Sequence, residues 1–202
     1  MVMETAFVSE ELFTRDQFHA RTETLPPDDR NRYELLDGRI AVTPLPGWPH
    51  SRLAARICAR LLHHVESARL GEVLESSAGY DLPSGDCVQP DVSFFSNETL
   101  RRGPLPVEGK SLAFAPDLVV EVLSPSTRRR DLNEKRAIYE RNGVDEYWVV
   151  DPRARRVTIF AREDRTSTSD ATAFAPGIAW ESGPAPSRLL PGLALTAEQI
   201  FD

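Results

Sequence analysis

The sequence predicts an α/β domain in which helices flank a mixed β-sheet, with an N-terminal helix and a β-hairpin ahead of it. Three observations carry this. Asp37-Gly38 stands between two short apolar runs, the residue pair that a two-residue hairpin turn demands. Leu53, Ile57, Leu61, Leu62 and Val65 recur at the spacing of an amphipathic helix. The stretch from 117 to 151 reads strand, helix, strand, the unit that joins neighbouring strands of one sheet.

In chain order, residues 9 to 24 read as a short helix within an N-terminal arm spanning 1 to 30, and the prolines of "LPPDDRNR" mark a loop. "RYELLDGRIAVTP" supplies two antiparallel strands. "PGWPH" is expected to break the chain before the helix "SRLAARICARLLHHVESA". On that helix Arg52, Arg56 and Arg60 form a second row, either a solvated face or a stripe facing phosphate. "EVLESSAGYDL" and "GDCVQPDVSFFS" are strand-like, with Pro90 at an edge where its missing N–H removes no central ladder bond. Residues 101 to 115 form a loop. "PDLVVEVLS" is the most apolar run and hence a central strand. The next helix has Ser124 or Ser126 as its cap and Asn142-Gly143 as its stop. "DEYWVVD" is a second buried strand, "RRVTIFARED" an edge strand, and 161 to 186 a variable loop region.

At 202 residues the chain is expected to build a single domain, 1 to 202, around one core. Cys58 and Cys87, outside any CxxC pair, predict reduced, buried thiols rather than a disulfide scaffold or a cysteine-rich zinc site. The first residues lack a basic leader with an apolar core, and nothing nears the roughly 18 apolar residues of a membrane span. A cytoplasmic location without a membrane partner is the expectation. A formal net charge of −7 counts against a protein coated in base for nucleic acid, yet a local basic groove is compatible with an acidic remainder.

The chemistry gathers around a lysine. Lys110 and Lys135 are the chain's two lysines; all its other strong bases are arginine. At about 100° per residue, Lys135 shares the helix stripe of Leu132, Ile138 and Tyr139 that must face the sheet. An ammonium there needs a partner, unless its stem carries it to solvent. Strand alternation puts Glu121 on one face of "PDLVVEVLS" with Asp117, Val119 and Leu123. A carboxylate in mid-strand is rarely buried without a cation or metal. Asp91 opens a neighbouring strand whose alternate members are Ser93 and Phe95. Two acids and one amine at one end of a sheet suit a hard divalent cation, Mg²⁺ or Mn²⁺, which needs one or two carboxylates and keeps several waters. Such an ion activates phosphoryl oxygen and water, and a nearby lysine orients that water and steadies developing charge. The plainer alternative is an ion pair of Lys135 with Glu121 or with Asp131, four residues before it, a spacing that stabilises a helix by about 0.2–0.5 kcal/mol.

"VQPDVSFFS", "APDLVVEVLSPST", "RDLNEKRAIYERNGVDEYWVVDP" and "LLPGLAL" together resemble the bacterial Uma-two family of restriction-endonuclease-like proteins, a branch of the PD-(D/E)XK nuclease superfamily. "YELLDGRIAVTP" and "HSRLAARICARLL" fit as well, so the resemblance runs from about residue 14 to the end. It implies a restriction-endonuclease-like fold with the metal held by Asp91 and Glu121; Asp117, which also follows a proline, is the rival for the first role. The superfamily's lysine normally stands two residues after the acid, where this chain has Leu123, and Lys135 on the next helix takes its place. Glu34 matches a recurrent acid of the family and either approaches the metal or lies on the hairpin surface. His50 matches the family's histidine and serves either catalysis or a helix-start hydrogen bond. Gln89 is expected to help line the pocket, whereas Tyr139 and Trp148 are core aromatics.

The expected function is metal-dependent phosphodiester hydrolysis by an endonuclease, with DNA as substrate and a homodimer expected for cutting two strands. Arg128, Arg129 and Arg130 either meet backbone phosphates or form a solvated run. The competing reading is a nuclease fold used as a binding or regulatory module with little or no catalysis, which the acidic net charge and the displaced lysine favour.

Overall fold

The computed structural model describes residues 7–103, 110–162 and 173–202. The chain opens with β1 (Phe7–Val8) and α1 (Arg15–Thr22). At the start of α1 the Thr14 hydroxyl accepts from the Gln17 N–H while the Gln17 side chain accepts from the Thr14 N–H, so two otherwise orphaned donors are satisfied. β2 (Arg32–Leu36) and β3 (Arg39–Thr43) form the hairpin, and its turn residues Asp37 and Gly38 have φ of 49° and 77°. Those left-handed values are what Asp-Gly tolerates at a turn matching the strand twist.

α2 (Trp48–Ala68) starts ahead of the expected residue 51. Pro49 falls in its first turn, where a missing N–H loses no helical bond, so "PGWPH" initiates the helix instead of breaking the chain. In the arginine row Arg60 is exposed, as on a solvated face, whereas Arg52 and Arg56 have a use outside either expectation. Arg52 donates to the Phe201 and Asp202 carbonyls and Arg56 to that of Ile200, clamping the end of the C-terminal helix.

Four strands follow: β4 (Gly71–Glu75), β5 (Tyr80–Asp81), β6 (Cys87–Val88) and β7 (Val92–Ser96). "GDCVQPDVSFFS" is therefore two strands, β6 in one sheet and β7 in another. The change comes at Gln89-Pro90, because proline has no N–H to continue a ladder. Pro90 marks a crossing between sheets and not an edge, since β7 lies between β4 and β8 (Leu118–Val122). α3 (Asn97–Arg102) occupies the beginning of the expected loop, part of which, 104–109, lies outside the described residues.

Beyond β8 the helical run has three parts: α4 (Arg128–Arg130), a π-helical turn (Asp131–Lys135) and α5 (Arg136–Arg141). Its N-cap is Thr127 rather than Ser124 or Ser126; the Ser124 hydroxyl accepts from the Thr127 N–H in the turn ahead of it, and Gly143 at φ 87° ends the run. β9 (Glu146–Asp151), β10 (Arg156–Ala161), β11 (Ile178–Trp180) and α6 (Ala197–Phe201) complete the chain. β10 is internal rather than an edge, because β11 covers its outer side. The region 161–186, expected as variable loop, thus carries a strand and the buried Phe174; residues 163–172 lie outside the described part.

The strands form a five-stranded sheet, β1-β3-β2-β6-β5, and a six-stranded one, β11-β10-β9-β8-β7-β4. Among the described strands β8 and β9 are the parallel pair, joined through the helical run as expected. Leu118, Val120 and Val122 face Leu53, Ile57 and Leu61 of α2. On the opposite face Val119 packs with Tyr139, Tyr147 and Val149, and Leu36 and Tyr80 join from the smaller sheet. α1 covers the far side of that smaller sheet through Phe18, Leu35 and Ile40. Both cysteines are free, Cys87 buried and Cys58 half-buried. Among the described residues no helix is long and apolar enough to cross a membrane.

Candidate active site

The antiparallel register Val92↔Val120 sets Asp91, just ahead of β7, beside the end of β8 that carries Glu121. The Asp91 carboxylate accepts from the Val122 N–H at 2.8 Å, which pins its orientation. Its two oxygens also meet Arg32 Nη1 at 3.0 Å and His50 Nε2 at 3.0 Å. Arg32 and Glu34 are two apart on β2 and so project from one face, toward the larger sheet. His50 arrives from the first turn of α2.

Lys135 ends the π-helical turn and is only 1% exposed. Its ammonium contacts Glu121 Oε1 and lies 2.9 Å from Glu34 Oε1, so it is no snorkelling side chain. The Tyr139 hydroxyl donates to the same Glu121 oxygen at 2.7 Å, and the Gln89 backbone N–H donates to Glu34 at 2.9 Å. A π-turn holds one more residue than an α-turn and locally shifts the side-chain phase; such bulges are frequent at functional positions. Asp131, at the start of that turn, is buried on the same cavity. The cavity has a volume of about 240 Å³ and is lined by Arg32, Glu34, His50, Asp91, Glu121 and Lys135 among others.

Four carboxylates around one lysine do not titrate alike. Burial, reinforced by Asp91, Asp131 and Glu34, lifts Glu121 to about 8 despite Lys135. Burial lifts Asp131 to about 6. For Glu34 burial acts upward too, but Lys135 and then Arg32 outweigh it and keep this acid below the ordinary range. Asp91 is held at about 2: burial opposes ionisation, while His50, Arg32 and the Val122 N–H prevail. Burial pulls the Lys135 ammonium down, yet Glu121, Glu34 and Asp131 more than compensate, so it stays protonated.

The structure thus brings Asp91, Glu121, Lys135, Glu34 and His50 to one cavity. Asp117 lies elsewhere, accepting from the Ser96 N–H and the Thr99 hydroxyl, where it secures the start of α3. Gln89 does not line this cavity: its backbone orients Glu34, and the residue borders a separate space beside α1. Arg128 and Arg129 are exposed, Arg128 pairing with Asp151 at 2.6 Å. Arg130 is buried, donates to Thr43 and lies 4.0 Å from Glu34, so it cannot meet backbone phosphate. Tyr139 is a core aromatic as expected, and its hydroxyl also orients Glu121. Arg32 and Asp131 are absent from the sequence-derived set of site residues. Arg32 was legible as the alternate neighbour of Glu34; Asp131 was visible only as a helix partner of Lys135.

Oxygen donors suit Mg²⁺ or Mn²⁺; Glu121 is raised chiefly by burial, with Asp91, Asp131 and Glu34 adding to it. Asp91 and Glu121 both present carboxylates to this cavity, the oxygens of Asp91 already engaged by Arg32, His50 and the Val122 N–H. Among the described residues, His19, Asp81 and Cys87 form a separate group with ligand atoms all within 4.8 Å of one another, away from this cavity. His19 Nε2 there lies 3.0 Å from Asp81.

Comparison with known proteins follows the same direction. The family described as Uma2, "Putative restriction endonuclease", matches residues 16–198. Among solved structures, a "putative nuclease belonging to DUF820" from Anabaena variabilis ATCC 29413 superposes with a TM-score of 0.71 at 19% identity, covering 94% of this chain and 97% of that one. This likeness shows a shared fold, with helices flanking β-sheet as expected from the sequence, and the restriction-endonuclease description comes from the family match. No curated protein matches the chain.

Proposed function

Because the chain belongs to the Uma2 family, we propose that it is a single-domain nuclease that hydrolyses phosphodiester bonds in DNA with Mg²⁺ or Mn²⁺. The observation that carries this reading is the buried Lys135 ammonium, held between Glu34 and Glu121 on the cavity that also contains Asp91. In this reading Asp91 and Glu121 hold the ion, which when bound supplies Lewis-acid activation of the phosphoryl oxygen and an acidified water.

The chain's own residues do the rest. Lys135, permanently cationic, cannot take a proton from water; it donates hydrogen bonds to the attacking oxygen and offsets charge developing on the phosphate. Glu34 positions Lys135 and is itself set by the Gln89 N–H. Tyr139 orients Glu121, while Arg32 and His50 orient Asp91. Arg128 and Arg129 are suited to backbone phosphate; Arg130 serves Glu34 from inside.

The test is nicking of supercoiled plasmid and cutting of single-stranded DNA by purified protein with Mg²⁺ or Mn²⁺. Wild type is expected to cut, and Glu121→Gln and Lys135→Met to lose activity by about 100-fold or more while keeping a native circular dichroism spectrum. A wild type inert on every substrate, or variants as active as wild type, refutes the assignment.

A further inference from the structure

Beside the cavity holding the acids and Lys135 lies a second, of about 440 Å³. Gly47, His50, Ser124 and Pro125 border both, so the two spaces meet where α2 begins and β8 ends. The second has a distinct chemistry. Pro49, Pro152 and Leu123 give it apolar walls, and Arg153 and Arg128 add guanidinium groups, Arg128 being paired with Asp151, which also borders the cavity. A bare phosphate would have no use for the prolines, and a hydrocarbon none for the arginines. A nucleotide uses both, stacking its base on apolar or guanidinium planes while its phosphates meet positive charge. The volume falls in the range of small-molecule sites.

Depth points the same way. The side chains of Asp91, Glu121, Lys135 and Glu34 are at most 3% exposed. Duplex DNA is stiff, with a persistence length of about 150 base pairs, and presents its phosphates on a convex surface. Groups this deep are more readily reached by a strand that can leave the helix. His50 Nδ1, on the residue shared by the two cavities, is buried without a hydrogen-bond partner among the described residues and offers a polar atom at the junction.

We propose that the second cavity is a nucleobase subsite: it takes the unstacked base next to the phosphate in the first cavity, making single-stranded or locally unpaired nucleic acid the substrate class. This rests on the hydrolase reading and specifies it. The occupied base would lie between the wall from Pro49 to Pro125 and the turn at Pro152-Arg153, neither of the latter two residues bordering the first cavity.

Two experiments test it. The first compares cutting of a single strand, the same sequence as duplex, and single strands carrying one abasic position each. Single strand should be cut roughly tenfold faster than duplex, and one abasic position beside the cut should slow the reaction by a similar factor, the worth of one stacked base. Arg153→Ala, and Pro152→Gly in a second variant, should raise KM on single strand with kcat retained. The second experiment needs no turnover: titration, without divalent metal, of thymidine 5′-monophosphate against 2-deoxyribose 5-phosphate. The nucleotide should bind roughly tenfold tighter, and the Arg153→Ala/Pro152→Gly double variant should erase the difference. Equal affinity of the two probes, or duplex cut as fast as single strand, overturns the subsite even if DNA is hydrolysed. If no nucleic acid is cut but the nucleotide preference is present and lost in the double variant, the hydrolase reading fails and the base site stands.

Discussion

Replacing Lys135 by methionine keeps most of the side-chain volume and removes the cation that, among the described residues, directly contacts both Glu34 and Glu121. Removing one member of a buried ion pair costs about 3–5 kcal/mol, because the other charge is left without compensation. The two acids will not suffer equally. Glu121, already lifted to about 8, carries a proton near neutrality and loses little. Glu34 is ionised because Lys135 and Arg32 hold it so, and it is the charge left stranded. The expected loss is therefore about 3 kcal/mol near neutral pH, a large share of the roughly 5–15 kcal/mol by which domains are stable. Without the lysine, burial raises Glu34, so the variant can shed its penalty by taking up a proton; the deficit should shrink as pH falls toward about 5. Urea unfolding followed by tryptophan fluorescence at both pH values measures this. Lys135→Met/Glu34→Gln should recover at least about 1 kcal/mol of the single variant's loss. A Lys135→Met loss below about 1 kcal/mol at both pH values, or a double variant no more stable than the single, would refute the buried-pair argument.

Other outcomes follow from the same site. Since burial holds Glu121 up to about 8, a cation binding there must displace a proton, so Mn²⁺ affinity should rise up to about tenfold per pH unit and level off above that value; a calorimetric profile flat from about pH 6 to 9 would contradict it. Asp91, held at about 2 against an ordinary 3.8, stabilises the fold above its unfolded value and ceases to as pH falls through the folded one. Wild type should thus lose roughly 2 kcal/mol more than Asp91→Asn between about pH 5 and pH 2, read from urea midpoints. At Gly71 a Cβ would stand 1.8 Å from the Phe95 carbonyl oxygen, so Gly71→Ala should cost about 3 kcal/mol and lower the thermal midpoint; an unchanged midpoint would show that β4 can move away from β7.

Much of the architecture could be read along the chain because it depends on short-range periods. The Asp37-Gly38 turn, the α2 stripe and the β8 alternation each follow from residues two to four apart. The same periods placed Glu121 and Lys135 toward one face, which is why an ammonium in an apolar helix stripe could signal a partner before any coordinates. Where local pattern misled, longer-range geometry had overridden it: Pro90 marks a crossing between sheets, and Arg52 and Arg56 hold a helix end some 145 residues onward. Only the tertiary structure brought β2 over the larger sheet, delivering Arg32 to Asp91 and Glu34 to Lys135. It alone turned Arg130 inward beside a π-helical turn and used Gln89 through its backbone. A sequence period encodes which face of one element a side chain occupies; which two faces meet is decided by packing between elements, and the titratable groups of this cavity come from β2, α2, the approach to β7, β8 and the π-helical turn.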